Sequence, residues 1–365
     1  MNEIYAARDV DKCLVPLHHA AENRRERKGI PISMQNTALV ITSIADQHHP
    51  VLNQFAAAAT RENVSFFVVG DTKSPPEFEL QGCEFYSIQR QQELSFHLSK
   101  ILPTKHYARK NIGYLVAIKN GAEVIIESDD DNIPLPGFWD VRSKTANASL
   151  VLKQGWVNVY RYFTEHYIWP RGFALEHIQD KLPALAESSK IICPIQQGLA
   201  DDNPDVDAIY RLILPLPIVF DQSQSIALGD GSICPFNSQN TSWFKEAFAL
   251  LYLPSYCSFR MTDIWRSFVA QRIAWTCGWP ILFHRSTVRQ ERNAHNLMHD
   301  FRDEVSGYTN NVELFKSLDE LKLGHGPEYI SSNMIACYRR LIELGLVNSE
   351  EMKLLQAWLS DLASH

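Results

Sequence analysis

The stretch from Glu123 to Asn132, E-V-I-I-E-S-D-D-D-N, constrains the fold more than any other. Val124-Ile125-Ile126 is an apolar run of buried-strand length, and it leads directly into three consecutive carboxylates. Like charges this close repel one another, and leaving water at the end of a core strand adds to the cost. A divalent cation removes the repulsion, and hard oxygen ligands suit Mg²⁺ or Mn²⁺. The plain alternative is a solvated acidic loop that follows a core strand. Just upstream, residues 109–118 (R-K-N-I-G-Y-L-V-A-I) read as a helix that opens with two cations. Cations at that end oppose the helix dipole, which makes an anionic partner nearby more attractive.

The flanking pattern supplies the architecture. Ala38 to Ile44 reads as a buried strand ending in small polar residues, and Pro50 to Asn63 as a helix with proline in its first turn. Val64 to Asp71 is a second strand with a carboxylate past its end, and Cys83 to Ser87 a weaker third. Strands alternating with helices predict an α/β fold with a parallel sheet. In such sheets ligands lie outside the carboxyl ends of the strands. Thr42, Ser43, Asp71 and Asp129 to Asp131 all fall on that edge. After residue 133, prolines punctuate short aromatic pieces, so irregular α+β structure is expected to pack on the first sheet and close a cleft. Two helical stretches are expected between Trp243 and Trp275, and the leucine spacing of the last 60 residues predicts amphipathic helices.

Composition narrows the class. The chain has 365 residues, 45% of them hydrophobic and 21% charged, which suits a globular protein with a sizeable core. A net charge of -7 argues against a general nucleic-acid binder. The seven cysteines form no C-x-x-C pair, which speaks against a zinc knuckle or a disulfide framework and fits a reducing compartment. No signal pattern and no transmembrane run is read, so a cytoplasmic protein is expected. Residues 1–35 read as an extension whose cluster Arg24-Arg25-Glu26-Arg27-Lys28 is a solvated face or a peripheral contact with an anionic membrane. The sequence contains no G-x-G-x-x-G, G-x-x-x-x-G-K-[ST] or G-x-S-x-G, so dinucleotide, P-loop and serine-hydrolase readings lack their usual signals.

Several constellations carry candidate chemistry. Asp129 and Asp131, alternate members of the triplet, can reach a metal and a nucleotide ribose, the metal then stabilising a diphosphate leaving group. Asp263, in R-M-T-D-I-W-R, reads either as a helix cap with Thr262 or as a base that deprotonates an acceptor hydroxyl. His295 and His299 are spaced i, i+4, and one of His284, His295 or His299 is a candidate third metal ligand. The run D-D-N-P-D-V-D at 201–207 lacks the glycine and the distal glutamate of a calcium loop, and reads as a capped turn before a helix at Ala208.

Segments spread over about residues 37–345 resemble one family, the STELLO glycosyltransferase-like proteins. They are R-K-N-I-G-Y-L-V-A-I-K-N-G-A (109–122) with the triplet, I-W-P-R-G-F-A-L-E (168–176), Q-Q-G-L-A-D-D-N-P-D-V-D-A-I-Y-R-L (196–212), N-S-Q-N-T (237–241), F-R-M-T-D-I-W-R-S (259–267) and Q-E-R-N-A-H-N-L-M-H-D-F-R-D-E (290–304). A more distant likeness is to the reversibly glycosylated polypeptides, which act as UDP-arabinopyranose mutases. The resemblance implies a GT-A fold, a Rossmann-like parallel or mixed sheet with a helical C-terminal part. The expected divisions are an extension at 1–35, a transferase domain at 36–305 split into a nucleotide-sugar half (36–132) and an acceptor half (133–305), and a helical segment at 306–365.

The activity implied is a metal-dependent, inverting transfer of a sugar from a nucleotide donor, UDP-linked by preference, to a glycan or other hydroxyl acceptor in polysaccharide or glycoconjugate synthesis. A nucleotide-sugar mutase and a non-catalytic nucleotide-sugar-binding scaffold are the alternatives. The nucleotide-sugar contacts are then Thr42, Asp71, Arg109, Lys110, Asn111, Asp129 and Asp130. The ligands of Mn²⁺ or Mg²⁺ are Asp131, Asp129 and His295, and the base is Asp263. Arg171, Asp205, Arg260 and Arg292 line the acceptor side. STELLO proteins are Golgi membrane proteins linked to cellulose synthesis; that compartment and that partner are not carried over.

Overall fold

A computed structural model describes residue 34, residues 36–292 and residues 296–364. The basic cluster at Arg24–Lys28 and His295 lie outside the described residues. Among the described residues thirteen strands are formed: β1 (Thr37–Thr42), β2 (Ser65–Val69), β3 (Glu84–Tyr86), β4 (Val124–Ser128), β5 (Asn132–Pro134), β6 (Thr145–Val151), β7 (Gly155–Trp156), β8 (Ser189–Ile192), β9 (Ile195–Asp201), β10 (Ile226–Leu228), β11 (Ser232–Ile233), β12 (Asn240–Phe244) and β13 (Ile281–Gln290). The α-helices are α1 (Pro50–Glu62), α2 (Ile88–Glu93), α3 (His97–Ile101), α4 (Lys110–Lys119), α5 (Ala208–Ile213), α6 (Thr262–Thr276), α7 (Leu297–Asp319), α8 (Ile330–Glu343) and α9 (Glu351–Ala363).

The main sheet runs β3-β2-β1-β4-β12-β9-β13-β10-β6-β8. Its first four strands are parallel, with Thr42 opposite Val69 and Val40 opposite Glu127. β12 then enters antiparallel beside β4. The α/β expectation is therefore met, as a mixed sheet with helices at its C-terminal end. One feature differs: the second half of the chain extends the first sheet where irregular structure packed against it was expected. β9 and β12 are buried strands built largely from Gln, Asn, Ser and Thr, so they carry no apolar run to mark them. The expected boundary at 305/306 also falls inside α7.

Both faces of the parallel half are covered, which is why its strands are apolar throughout. Leu39, Ile41, Phe66, Val68 and Ile126 face Leu52, Phe55 and Ala59 of α1. Alternate residues Ala38, Val40, Phe67, Val69 and Ile125 face Ile112, Leu115 and Val116 of α4. Gly113 lets α4 lie close: a Cβ there would stand 2.5 Å from a Val40 methyl and 2.7 Å from one of Val69. The helical end braces the segment that leads to α6. Glu351 accepts backbone N–H groups of Ser255 (2.9 Å) and Tyr256 (2.7 Å), and Asp361 caps α3 through the N–H groups of His97 and Leu98. No helix among the described residues is long and apolar enough to cross a membrane.

Candidate active site

Strand direction brings the chemistry together. β2, β1 and β4 run side by side, so Asp71, Thr42 with Ser43, and the triplet Asp129–Asp131 emerge along one edge. Two cavities open there. The first, about 350 Å³, is lined by Thr42, Ser43, Asp71, Lys73, Lys105, His106, Tyr107, Arg109 and Asp130 among others. The second, about 250 Å³, is lined by the triplet, Arg171, Asp205, Asn237, Gln239, Arg260, Asp263, Gln290 and Arg292 among others. Thr42, Tyr107, Asp130 and Phe259 belong to both, so the two are halves of one cleft.

Each triplet carboxylate has a different setting. Asp129 accepts from Lys110 Nζ at 2.8 Å, while that wholly buried ammonium also donates to the carbonyls of Ser128 (2.9 Å) and Ser238 (3.1 Å). Asp130 accepts from the Ser43 hydroxyl. Asp131 accepts from Gln290 Nε2 at 2.9 Å through one oxygen, and its buried Oδ1 has no partner. Burial pushes the Asp131 carboxyl up to about 7, with Asp129 adding to the effect. That orphaned oxygen is the donor a divalent cation needs. Among the described residues no three His, Cys, Asp or Glu side chains are grouped so as to hold a metal by themselves.

The cations before α4 separate in role. Arg109 lines the first cavity and is anchored by Gln91 Oε1 (2.6 Å) and the Leu102 carbonyl (2.9 Å), leaving Nη2 buried and unpaired. Lys110 reaches the cleft through Asp129 and the Ser238 carbonyl. Asn111, expected to face the donor, points inward: its amide pairs with the backbone N–H (2.9 Å) and C=O (2.8 Å) of Leu253. Asp71 lines the first cavity and holds its turn by accepting from the N–H groups of His106 (2.9 Å) and Thr72 (2.6 Å). Burial lowers the pKa of His106 to about 4, so its ring is neutral at physiological pH.

Asp263 sits in the first turn of α6 without capping it, and lines the second cavity as expected. Its side chain is 5% exposed and its oxygens are occupied, by Arg171 (3.0 Å), the Tyr107 hydroxyl (3.1 Å) and the Ser238 N–H (3.2 Å). Burial alone would raise its pKa, but the Arg171 guanidinium holds it below the usual carboxylate range. Paired in this way, the carboxylate could take a proton only after parting from Arg171. Arg171 is shared: it also grips Asp205 at 2.8 and 2.9 Å. Arg171, Asp205, Arg260 and Arg292, expected on the acceptor side, all line the same cavity. His284 lines a separate hollow with Arg142, and His299 is exposed at the start of α7.

Two elements were given no role by the sequence reading. Glu127, inside β4, accepts both arms of Arg266 (3.0 and 2.9 Å) and the Trp243 indole (2.9 Å), tying α6 to the strand that bears the triplet. The N-S-Q-N-T segment forms the cavity wall, with Asn237 donating to Asp205 (3.0 Å) and Gln239 to Asn132 (2.8 Å). Glu127 lay in plain sight as the one charge inside an apolar strand, a position that demands a buried partner.

The family model "STELLO glycosyltransferases" matches residues 260–365. The chain is 28% identical over 325 residues to probable glycosyltransferase STELLO2 of Arabidopsis thaliana, covering 80% of this chain and 41% of that protein. It is 27% identical over 318 residues to probable glycosyltransferase STELLO1 of the same plant, covering 80% and 40%. The chain thus spans about two fifths of the length of these relatives. Among solved structures, glucosyl-3-phosphoglycerate synthase of M. tuberculosis aligns over 75% of this chain and 80% of its own, with a TM-score of 0.37 and 11% identity. The expected resemblance is borne out: residues 260–365 match the STELLO family model, and most of this chain is similar to part of each of these two STELLO proteins.

Proposed function

We propose that the chain is a metal-dependent glycosyltransferase that binds a nucleotide-sugar, UDP-linked by preference, along the carboxyl edge of β1, β2 and β4. One observation carries this reading. Five buried polar atoms without partners, Arg109 Nη2, His106 Nε2, Asp131 Oδ1, Gln290 Oε1 and Arg292 Nε, belong to residues that line the two halves of the cleft. Buried polar groups are almost always paired, so this concentration marks a place completed by a polar ligand.

The nucleoside takes the first half, beside Thr42 and the turn that Asp71 holds. The diphosphate and sugar lie at the junction, next to Asp130. Asp129 and Asp131 hold Mn²⁺ or Mg²⁺, which when bound supplies positive charge toward the departing diphosphate. Burial raises the Asp129 pKa, and Lys110 opposes that rise while aiming the carboxylate from behind. Asp263 acts by orienting Arg171, and Arg171 orients Asp205 on the acceptor wall; inversion at the anomeric carbon would require Asp263 to exchange Arg171 for the acceptor hydroxyl. The expected assay result is release of free nucleotide from one UDP-sugar of a panel, dependent on Mn²⁺ or Mg²⁺ and lost in Asp131→Asn. A folded protein that neither binds nor cleaves any nucleotide-sugar of the UDP, GDP, CDP, ADP and dTDP classes would overturn the reading.

A further inference from the structure

The acceptor wall holds guanidinium groups that the donor does not need. Arg171 is saturated by Asp205, Asp263 and the Arg260 carbonyl. Arg260 gives Nε and one terminal nitrogen to Glu304, at 2.9 and 2.7 Å. Arg292 differs from both. Its side chain is only 9% exposed, its Nε has no partner, and its ion pair to Asp300 is a long 3.4 Å. Behind it Arg211 also buries an unpaired Nε, with one contact to the Pro204 carbonyl at 2.9 Å. Burial, with the positive fields of Arg292 and Arg260 and against those of Asp205 and Asp300, lowers the pKa of Arg211 to about 9. Arg211, Arg260 and Arg292 thus stand close enough on this wall to feel one another's charge, with Asp205 and Asp300 facing them.

An unmet N–H on a buried guanidinium is costly, and the planar fork matches phosphate and carboxylate oxygens. We propose that Arg292, flanked by Arg260 and backed by Arg211, is an anion subsite that takes a phosphate or carboxylate group of the acceptor. The acceptor class is then a phosphorylated or acidic hydroxyl compound, such as a sugar phosphate or a uronic acid. The assignment to the acceptor rests on the transferase reading above. The other source of the same chemistry is the donor's own diphosphate.

The test uses inorganic phosphate as probe on the full chain saturated with UDP and Mg²⁺, with sodium chloride at equal ionic strength as control. Phosphate should raise the melting temperature further, since a ligand of the folded state stabilises by mass action. Arg292→Gln should weaken phosphate binding to the UDP-loaded protein by roughly tenfold or more, the scale of one charge-assisted contact. Two results overturn the proposal: no phosphate binding to the UDP-loaded protein, or loss of UDP affinity in Arg292→Gln with phosphate bound only when UDP is absent. The second assigns Arg292 to the donor. Failure of the donor reading looks different: no UDP binding at all, with Arg292-dependent phosphate binding intact.

Discussion

The guanidinium of Arg171 lies 3.0 Å from the Asp263 carboxylate, the group that would have to be free to serve as base. Because Arg171 also holds Asp205, the two carboxylates and the arginine act as a unit. Asp263→Asn and Arg171→Lys are each expected to lower turnover by on the order of tenfold, and the double variant by no more than the worse single one, as residues in one network are non-additive. Steady-state kinetics on the three variants checks this. A loss of about a hundredfold or more in kcat for Asp263→Asn alone, with Arg171→Lys near wild type, would restore the base.

The Glu127–Arg266 pair is buried on both sides, with side-chain exposures of 0% and 1%. Removing one partner of such a pair leaves an uncompensated charge, at a cost of about 3–5 kcal/mol. Glu127→Gln should therefore lower stability by that amount in urea denaturation, and Glu127→Gln with Arg266→Leu should recover part of it. A Glu127→Gln protein as stable as wild type would show that the pair does not anchor α6 to β4.

The parallel half of the fold and its polar edge were legible because their signals are local. Apolar runs such as Leu39-Val40-Ile41 and Phe66-Phe67-Val68 mark doubly covered strands, and topology alone then places Thr42, Asp71 and Asp129 together. The rest was hidden where burial is polar. Gln196-Gln197 and Asn240-Thr241-Ser242 are buried strand residues whose amides and hydroxyls pair across the sheet, a pattern without apolar periodicity. Asn111 was misjudged because spacing shows which residues follow a cation, and nothing of which way a helix turns them. Asp207 was read correctly, since a carboxylate three residues before the Tyr210 N–H is a cap by geometry.

That cap has a pH signature. Burial pushes the Asp207 carboxyl up to about 6, although it accepts from the Tyr210 N–H and the Trp169 indole. With an unfolded value near 3.9, the folded state holds a proton that the unfolded chain releases between about pH 4 and 6. Its contribution is thus full below pH 4 and is lost as pH rises through 6, a change of on the order of 2–3 kcal/mol. Urea midpoints at pH 4.5 and 7, compared with Asp207→Asn, isolate the effect. Wild type should lose stability relative to the variant as pH rises across this window; a constant difference would contradict it.

The most direct test of the account is nucleotide binding measured by thermal shift, with UDP, GDP, CDP, ADP and dTDP, each with and without Mn²⁺. One nucleotide, UDP by preference, should raise the melting temperature only when the metal is present, and Asp131→Asn should abolish that shift while melting near wild type without ligand. A shift of equal size with and without metal, unchanged in Asp131→Asn, would contradict the role given to the acidic triplet. No shift with any nucleotide would remove the donor site itself.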